Sequence, residues 1–387
     1  MDYSYRCLNN IANCGLEHFD SRYHVTEGED ADAILVRSAS MKEMEFSPAL
    51  KAIARAGAGV NNIPLDRCAE EGIVVFNTPG ANANGVKELV IAGMILASRD
   101  IVGGIEWLEQ QDDTPDLPKK VEKQKKQFAG VEISGKRLGI IGLGAIGVMV
   151  ANAAVHLGMK VSGYDPFLSI NAAWNLSSKI EYVQDVDDIF RNCDYISLHV
   201  PLNDSTKGMI SAEAIAKMKD GVVLLNFARD PLVEEAPLIE ALKSGKIKKY
   251  VTDFVTHDVA HAPNTLVTPH LGASTQESED NCAIMAVNEL RDYLENGNIR
   301  HSVNYPECDM GVCTSGGRIA ANHRNIPGIL ARITSVIGDE KLNITNIANK
   351  SRGSYAYTLI DTDEPIPQHV AERIAALSDI LKVRIVK

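Results

Sequence analysis

The sequence predicts an α/β protein of two or three domains that ends in a smaller α/β unit. Its 387 residues are enough for two or three domains at roughly 100–200 residues each. Short β-rich segments alternate with amphipathic segments through most of the chain, which is typical of parallel βαβ units. Residues 318–387 follow a different order, βαββαβ, and therefore form a separate unit.

Composition and charge disfavour several classes of protein. A net charge of −12 argues against nucleic acid or an anionic membrane as the main partner, because both bind basic surfaces. The N-terminus lacks a basic region followed by an apolar core, and the longest apolar run, residues 89–97, is too short to span a bilayer. The seven cysteines show no CxxC spacing, so we expect reduced thiols, no metal site and a cytoplasmic location.

The first part of the chain contains three predicted strands and a long helix. The strands are predicted where apolar and β-branched residues cluster, at residues 31–37, 51–57 and 72–77. Residues 85–101 predict a helix that is apolar on more than one face and therefore buried. Residues 109–127 are polar and predict a surface excursion with solvated charges.

A second series of strands and helices begins at Lys136. Gly245 and Gly297 mark the predicted ends of two helices, the second of which starts near Ser274 or Thr275. Residues 304–317 contain Pro, Gly, Ser and Thr without an apolar period and predict a linker. The strands of this series are predicted at residues 136–141, 160–165, 194–200, 221–228 and 248–255.

A glycine-rich loop follows the first strand of this second series. Gly142, Gly144 and Gly147 have the spacing GxGxxG and open a predicted helix, which is the context that makes the motif informative for dinucleotide binding. Gly142 permits a tight turn, and Gly144 lets backbone amides approach a pyrophosphate. Asp165 ends the next strand, where a carboxylate accepts the ribose hydroxyls of NAD and repels the 2′-phosphate of NADP.

Two further residues lie where ligands bind in open α/β sheets. Arg229 and His270 each follow an apolar strand, at the edge of the sheet formed by the carboxyl ends of the strands. A guanidinium there can hold a carboxylate in a bidentate manner. Considered alone, Arg229 is better explained as a surface partner of Asp230, and His270 as a histidine hydrogen-bonded in a loop.

The ordered set of segments resembles the D-isomer-specific 2-hydroxyacid dehydrogenases. The matching segments are the glycine loop ending in GYDP, SLHVPLNDSTKGMI, LLNFARD and TPHLGAST, and the likeness spans about residues 30–300. It implies a Rossmann-type nucleotide domain inserted in a flavodoxin-like substrate domain, with the active site in the cleft between them. The expected boundaries are 1–86 and 273–303 for the substrate domain, 87–272 for the NAD domain and 304–317 for the linker.

The resemblance also implies catalytic roles. Arg229 matches the arginine that clamps the substrate, and His270 matches the general acid/base. The family places a carboxylate, usually glutamate, five residues after a strand-end aspartate, where it stabilises the charged histidine. Here these positions are Asp253 and Asp258, so the chain departs from the family by one methylene, and the shorter side chain has less reach.

Cofactor and substrate contacts follow from the same resemblance. Lys87 stands where many members have alanine, and a cation there would suit a phosphorylated substrate, although an exposed first-turn lysine explains it equally well. The other expected substrate contacts are Arg37, Ser38, Gly59, Val60 and Asn61. The expected NAD contacts are Gly142, Gly144, Ala145, Ile146, Gly147, Tyr164, Asp165, His199, Pro201, Thr206, Asn226, Ala228, Arg229, Asp253, His270 and Gly272.

Residues 318–387 resemble an ACT domain, a ferredoxin-like module that senses amino acids. The segment ANHRNIPGIL carries the resemblance, with His323 and Asn325 as expected ligand contacts. Asn343 matches an asparagine that the family contributes from a neighbouring subunit. A dimerisation module that binds no ligand is the alternative interpretation.

Other functions stay open at this point. The carboxylate clamp is common to 2-hydroxyacid dehydrogenases, so a substrate such as 2-hydroxyglutarate is an alternative. A non-catalytic NAD-sensing scaffold is a second alternative, and the joint presence of Arg229, His270 and a carboxylate argues against it. The resemblance implies a homodimer that ACT pairing could extend to a homotetramer.

Overall fold

A computed structural model describes residues 2–387. The chain divides into two compact units, one made of the residues up to Asn82 together with Gln276–Lys387, the other of Ala83–Thr275. The strands are β1 Tyr3–Cys7, β2 Tyr23–Val25, β3 Ala33–Val36, β4 Ala52–Arg55, β5 Val74–Phe76, β6 Arg137–Ile141, β7 Lys160–Tyr164, β8 Glu181–Tyr182, β9 Tyr195–Leu198, β10 Val222–Asn226, β11 Ile247–Thr252, β12 Thr265–Val267, β13 Gly317–Arg324, β14 Ile344–Arg352, β15 Tyr355–Thr362 and β16 Ile380–Ile385.

The helices alternate with these strands. Two short 3-10 helices occupy Lys125–Phe128 and Asp230–Leu232. The α-helices are α1 Asn13–Leu16, α2 Leu65–Glu70, α3 Ala83–Ser98, α4 Ile101–Glu109, α5 Leu117–Gln124, α6 Ala145–His156, α7 Ile170–Asn175, α8 Val186–Asn192, α9 Ala212–Lys217, α10 Glu235–Ser244, α11 His257–His261, α12 Gln276–Asn296, α13 Ile329–Asp339 and α14 Gln368–Ala375.

The first unit is built on a parallel sheet in the order β2-β1-β3-β4-β5. This is the flavodoxin-like order, as expected. All four residues of β3 are buried, because helices cover both faces of a parallel sheet. The three predicted strands of this region are confirmed with shorter bounds, whereas β1 and β2 were missed.

The second unit is built on seven parallel strands in the order β12-β11-β10-β9-β6-β7-β8. The reversal on either side of β6 is the doubly wound arrangement of dinucleotide-binding domains. The predicted buried helix is confirmed as α3, in which a Cβ on Gly93 would lie 3.0 Å from the Val251 side chain and 3.1 Å from the Phe227 ring. The predicted surface excursion contains α5, which buries none of its residues.

The C-terminal part of the first unit has the predicted βαββαβ order and an antiparallel sheet in the order β14-β15-β13-β16. One face of this sheet packs on α13 and α14, around Ile319 and Ile333. The other face presents Ala320, Tyr357 and Leu359 to the core that surrounds α12. Both faces of β13 and β15 are therefore covered, whereas the edge strand β14 is largely exposed.

Polar contacts hold the C-terminal sheet against α12 and the segment that follows it. The buried Arg318 side chain pairs with Asp361 through Nε–Oδ1 at 2.6 Å and donates to the Asn296 carbonyl at 2.9 Å. The Tyr357 hydroxyl donates to the Gly297 carbonyl at 2.7 Å. Tyr305, within the predicted linker, is fully buried and donates to the backbone of α2, so this segment is packed against the first unit.

Candidate active site

The glycine loop has the shape that a dinucleotide requires. Gly142 has φ of 96°, and a Cβ there would come within 2.6 Å of the His199 carbonyl oxygen. A Cβ on Gly147 would come within 1.9 Å of the Gly142 carbonyl oxygen. A Cβ on Gly144 would meet nothing within 4 Å, so the loop is open at the residue that caps α6. An anion at this point would face the first amides of α6.

Asp165 lies beside this loop at the end of β7. Its Oδ2 accepts the Leu143 N–H at 2.8 Å, and its Oδ1 accepts the Phe167 N–H at 2.8 Å. These bonds fix the carboxylate at the rim of a cavity of about 630 Å³, whose lining includes Gly144 and Asn175. A fixed carboxylate next to an open glycine loop fits the adenosine ribose of NAD.

The remaining predicted cofactor contacts on this side lie in α6 and after β9. Ala145 and Ile146 are the first residues of α6, and Tyr164 ends β7. His199 is held by a 2.9 Å hydrogen bond between its Nε2 and the Ser197 hydroxyl, and burial lowers the pKa of His199 to about 4. It is therefore a neutral residue at physiological pH. Thr206 donates to the Pro201 carbonyl at 2.6 Å, which closes the following loop.

Hydrogen bonds between β10 and β11 set the edge of the sheet where the catalytic candidates lie. The Oδ1 atom of buried Asn226 accepts the N–H groups of Ala228 and Arg229 at 3.2 and 3.3 Å, and its Nδ2 donates to the Arg229 carbonyl at 2.8 Å. Thr252 donates its hydroxyl to the Asn226 carbonyl at 2.8 Å and accepts the Phe254 N–H at 3.1 Å. Neither Thr252 nor Phe254 was predicted from the sequence as a residue of the site.

Arg229 is exposed at this edge. Its Nη1 donates to the Ala228 carbonyl at 2.6 Å, and its Cζ lies 5.7 Å from the centre of the Phe254 ring. Within residues 2–387 it forms no ion pair, and so none with Asp230. Its remaining donors are available to a carboxylate ligand.

His270 and Asp253 lie next to Arg229. The exposed His270 ring is 4.6 Å from the Phe254 ring, measured between centroids. Asp253 is buried, and its Oδ2 accepts the Gly272 N–H at 3.0 Å. Burial raises the pKa of Asp253, while the Gly272 N–H and the positive charges of His270 and Arg229 oppose that rise. Its Oδ1 has no partner, which leaves a buried acceptor for a donor such as the nicotinamide carboxamide.

Asp258 is not part of this cluster. It lies exposed in the first turn of α11, and its carboxylate forms no hydrogen bond or ion pair within residues 2–387. His257 and His261 pack on each other instead, with ring centroids 4.8 Å apart. The structure thus brings Arg229 and His270 together without Asp258.

The expected substrate residues of the first unit lie in two loops. Asn9, which the sequence analysis missed, accepts the N–H groups of Arg37 and Ser38 at 2.9 Å each. The Arg37 guanidinium pairs with Glu279 at 2.5 Å. The second loop is fixed by the Asn77 side chain, which donates to the Ala58 carbonyl at 2.6 Å beside Gly59, Val60 and Asn61.

Lys87 belongs to the second unit. It lies in α3, and its ammonium donates to the Asn84 side chain at 2.6 Å. Glu88 is 3.7 Å from the same ammonium. These contacts hold Lys87 near the start of the helix, with most of its side chain covered.

The expected amino-acid contacts of the C-terminal unit differ in accessibility. His323 is buried, and its two ring nitrogens lie 2.8 Å from the Arg324 carbonyl and the Thr358 hydroxyl. Burial lowers the pKa of His323, so it is neutral. Asn325 is exposed and donates to the Gly353 carbonyl at 3.1 Å, and Asn343 is exposed just before β14.

The chain matches two family models and a set of known proteins. Residues 91–272 match the model of the D-isomer specific 2-hydroxyacid dehydrogenase NAD-binding domain, and residues 318–379 match the ACT domain. The chain is 35% identical over 287 residues to D-3-phosphoglycerate dehydrogenase of Methanocaldococcus jannaschii, which covers 72% of this chain and 52% of the relative. The chain therefore spans about half the length of that relative.

Two further matches cover a larger share of the matched protein. Hydroxypyruvate reductase of Thermotoga maritima is 38% identical over 273 residues, which are 67% of this chain and 84% of the relative. The crystal structure of NAD+-bound 3-phosphoglycerate dehydrogenase from Entamoeba histolytica superposes with a TM-score of 0.62 and 28% identity, covering 79% of this chain and 99% of that one. The chain belongs to the D-isomer specific 2-hydroxyacid dehydrogenase family, with an NAD-binding domain and an ACT domain.

Proposed function

We propose that the protein oxidises 3-phospho-D-glycerate to 3-phosphohydroxypyruvate with NAD, the first step of L-serine biosynthesis. The observation that carries the proposal is the cluster of exposed Arg229, buried Asp253 and exposed His270 at the carboxyl edge of the NAD-domain sheet. The ACT domain and the likeness to D-3-phosphoglycerate dehydrogenases support this substrate over other 2-hydroxy acids. We also propose a cytoplasmic location, because the cysteines are all unpaired.

Each residue of the cluster has a separate proposed role in the reaction. The planar fork of Arg229 holds the substrate carboxylate, and the His270 ring accepts the proton of the substrate hydroxyl. When bound, NAD would accept the hydride that leaves the carbon bearing that hydroxyl. Asp258 is proposed to stabilise the charged ring of His270, which requires its side chain or α11 to move from the position described above.

The phosphate of the substrate requires cations. Arg37 and Lys87 are the proposed ones, assisted by Ser38 and by the backbone of Gly59 and Val60. The Arg37 guanidinium already pairs with Glu279, so a phosphate would compete with that carboxylate. Asn61, exposed in the same loop, is proposed to contact the substrate hydroxyl.

A second candidate function is the reduction of another 2-keto acid such as hydroxypyruvate, and a relative supports it. The relative from Thermotoga maritima, named hydroxypyruvate reductase, is more similar in sequence than the named phosphoglycerate dehydrogenases given above. A dehydrogenase for another 2-hydroxy acid would use the same Arg229 and His270. Turnover of a panel of 2-hydroxy acids, including 2-hydroxyglutarate and glycerate, separates the two functions, and NAD binding without any turnover would indicate a scaffold.

We propose that L-serine binds the ACT domain of a homodimer or homotetramer. Within one chain, Asn325 lies near the C-terminal end of β14 and Asn343 precedes its other end, and nine strand residues span roughly 30 Å. One amino acid cannot bridge that distance. Antiparallel pairing of the exposed edge strand β14 with a second copy would bring Asn325 of one chain next to Asn343 of the other.

A contact between the ACT domain and α2 offers a route for regulation. Arg324, between the two motif residues His323 and Asn325, forms an ion pair with Glu70, which also accepts the Tyr355 hydroxyl. Glu70 ends α2, and α2 follows the proposed substrate loop at residues 59–61 within a few residues. Movement of the motif on ligand binding would therefore be transmitted to that loop through one helix.

The cofactor preference is testable at Asp165. Substituting Asp165→Ser should raise KM for NAD by about 10-fold or more, because the ribose hydroxyls lose a charged acceptor whose hydrogen bonds are worth about 1.5–3 kcal/mol. KM for NADP should fall at the same time, since the repulsion of its 2′-phosphate is removed. Steady-state kinetics with both cofactors measure this, and equal wild-type kcat/KM for NAD and NADP would contradict the assignment.

The carboxylate clamp is testable at Arg229. Arg229→Lys keeps the charge and loses the planar fork, so kcat/KM for 3-phosphoglycerate should fall by about 100-fold or more. Arg99→Lys, at the exposed end of α3, is the control and should leave the kinetics unchanged. Near-normal kcat/KM in Arg229→Lys would remove Arg229 from the site.

Serine regulation is testable at the two exposed asparagines. L-serine should lower activity, and Asn325→Ala and Asn343→Ala should each raise the serine concentration for half-inhibition by about 10-fold, because each removes hydrogen bonds to the ligand. Asn349→Ala, exposed in the middle of β14, is the control. Glu70→Gln should weaken inhibition while calorimetry still detects serine binding. The absence of any serine binding at millimolar concentration would leave the domain as an assembly module.

A further inference from the structure

One aromatic side chain contacts both catalytic candidates. The Phe254 ring lies 5.7 Å from the Arg229 guanidinium carbon and 4.6 Å from the His270 ring, on an edge where both partners are exposed. Neither Arg229 nor His270 forms an ion pair within residues 2–387. Phe254 is therefore an apolar side chain that contacts both of them.

The position of Phe254 is itself fixed. Its N–H donates to the Thr252 hydroxyl at 3.1 Å, and it follows buried Asp253 directly. Val255, the next residue, is 65% exposed and makes no comparable contact, so the order Phe-Val is what directs the aromatic ring toward the site. With the two residues exchanged, an aliphatic side chain would occupy this place.

We propose that Phe254 is a positioning residue for the proposed dehydrogenase reaction, holding the Arg229 guanidinium over its face and the His270 ring against it. The face of an aromatic ring attracts a cation such as the Arg229 guanidinium. It also keeps two long side chains from sampling other rotamers. The proposal rests on the proposed function, because it assigns Arg229 to the substrate and His270 to the proton.

The arrangement has a consequence for the histidine. Phe254 contacts the His270 ring and Asp253 interacts electrostatically with it, whereas Asp258 on α11 forms no hydrogen bond or ion pair with it within residues 2–387. The ring of Phe254, and not the carboxylate of Asp258, therefore orients the imidazole in this structure. Asp258 contributes only when α11 or its own side chain moves.

Phe254→Leu tests the proposal, since it removes the ring and keeps an apolar side chain. In reduction of 3-phosphohydroxypyruvate with NADH, we expect kcat/KM to fall by about 10- to 100-fold, with a higher KM for the keto acid, a lower kcat and an unchanged KM for NADH. Phe254→Trp should restore most of the activity, and Val255→Ala, the matched control, should behave as wild type. Equal kinetics for Phe254→Leu and wild type, or an equal rise in KM for NADH, would overturn the proposal.

A second readout does not depend on activity. In histidine-labelled protein, NMR signals of the His270 ring, assigned with His270→Gln, should shift when the neighbouring ring current is lost in Phe254→Leu, and should not shift in Val255→Ala. Unmoved signals would overturn the proposal. A wild-type chain that reduces no keto acid would instead refute the proposed function, while the NMR result would still decide whether Phe254 holds His270.

Discussion

The hydrogen bonds that join the ends of β10 and β11 fix the backbone that carries Arg229 and Phe254. The Asn226 side chain binds the backbone of Arg229 on both sides, and Thr252 connects the Asn226 carbonyl to the Phe254 N–H. Both residues are fully buried, so an unmade hydrogen bond here would cost about 1–3 kcal/mol. Because buried Asn226 holds the backbone of Arg229, the exposed guanidinium of Arg229 remains available to a ligand.

At the cofactor loop and in the ACT domain, too, hydrogen-bonded residues lie next to residues that are open to a ligand. Asp165 is fixed by two backbone N–H groups beside the open side of Gly144. In the ACT domain, β13 and β15 are packed on both faces and both ring nitrogens of His323 are hydrogen-bonded, while Asn325 is exposed. The structure describes no helix within residues 2–387 that is long and apolar enough to cross a membrane.

The fold and part of the site could be predicted from the sequence because their signals are local. The glycine spacing, the alternation of strands with helices and the βαββαβ order all depend on neighbouring residues, and the structure confirms the fold they predict. Thr252 and Phe254 could not be predicted, since their roles depend on which strands are adjacent and which way a side chain points. The short strands β1 and β2 were missed because polar residues interrupt them. The role of Asp258 stays a prediction, because its distance from His270 depends on a short helix that sequence spacing does not define.

Thr252→Val tests whether the bonds between β10 and β11 position the site, because valine keeps the shape of threonine and removes the hydroxyl that joins the two strands. The measurement is kcat/KM for reduction of 3-phosphohydroxypyruvate, with NADH affinity and thermal stability determined alongside. We predict a decrease of at least about 10-fold with NADH affinity preserved, since 1.4 kcal/mol corresponds to a factor of ten, and near-normal activity in Thr252→Ser, which retains the hydroxyl. Wild-type kcat/KM in a folded Thr252→Val protein would show that this hydrogen bond does not position the site and would contradict the account.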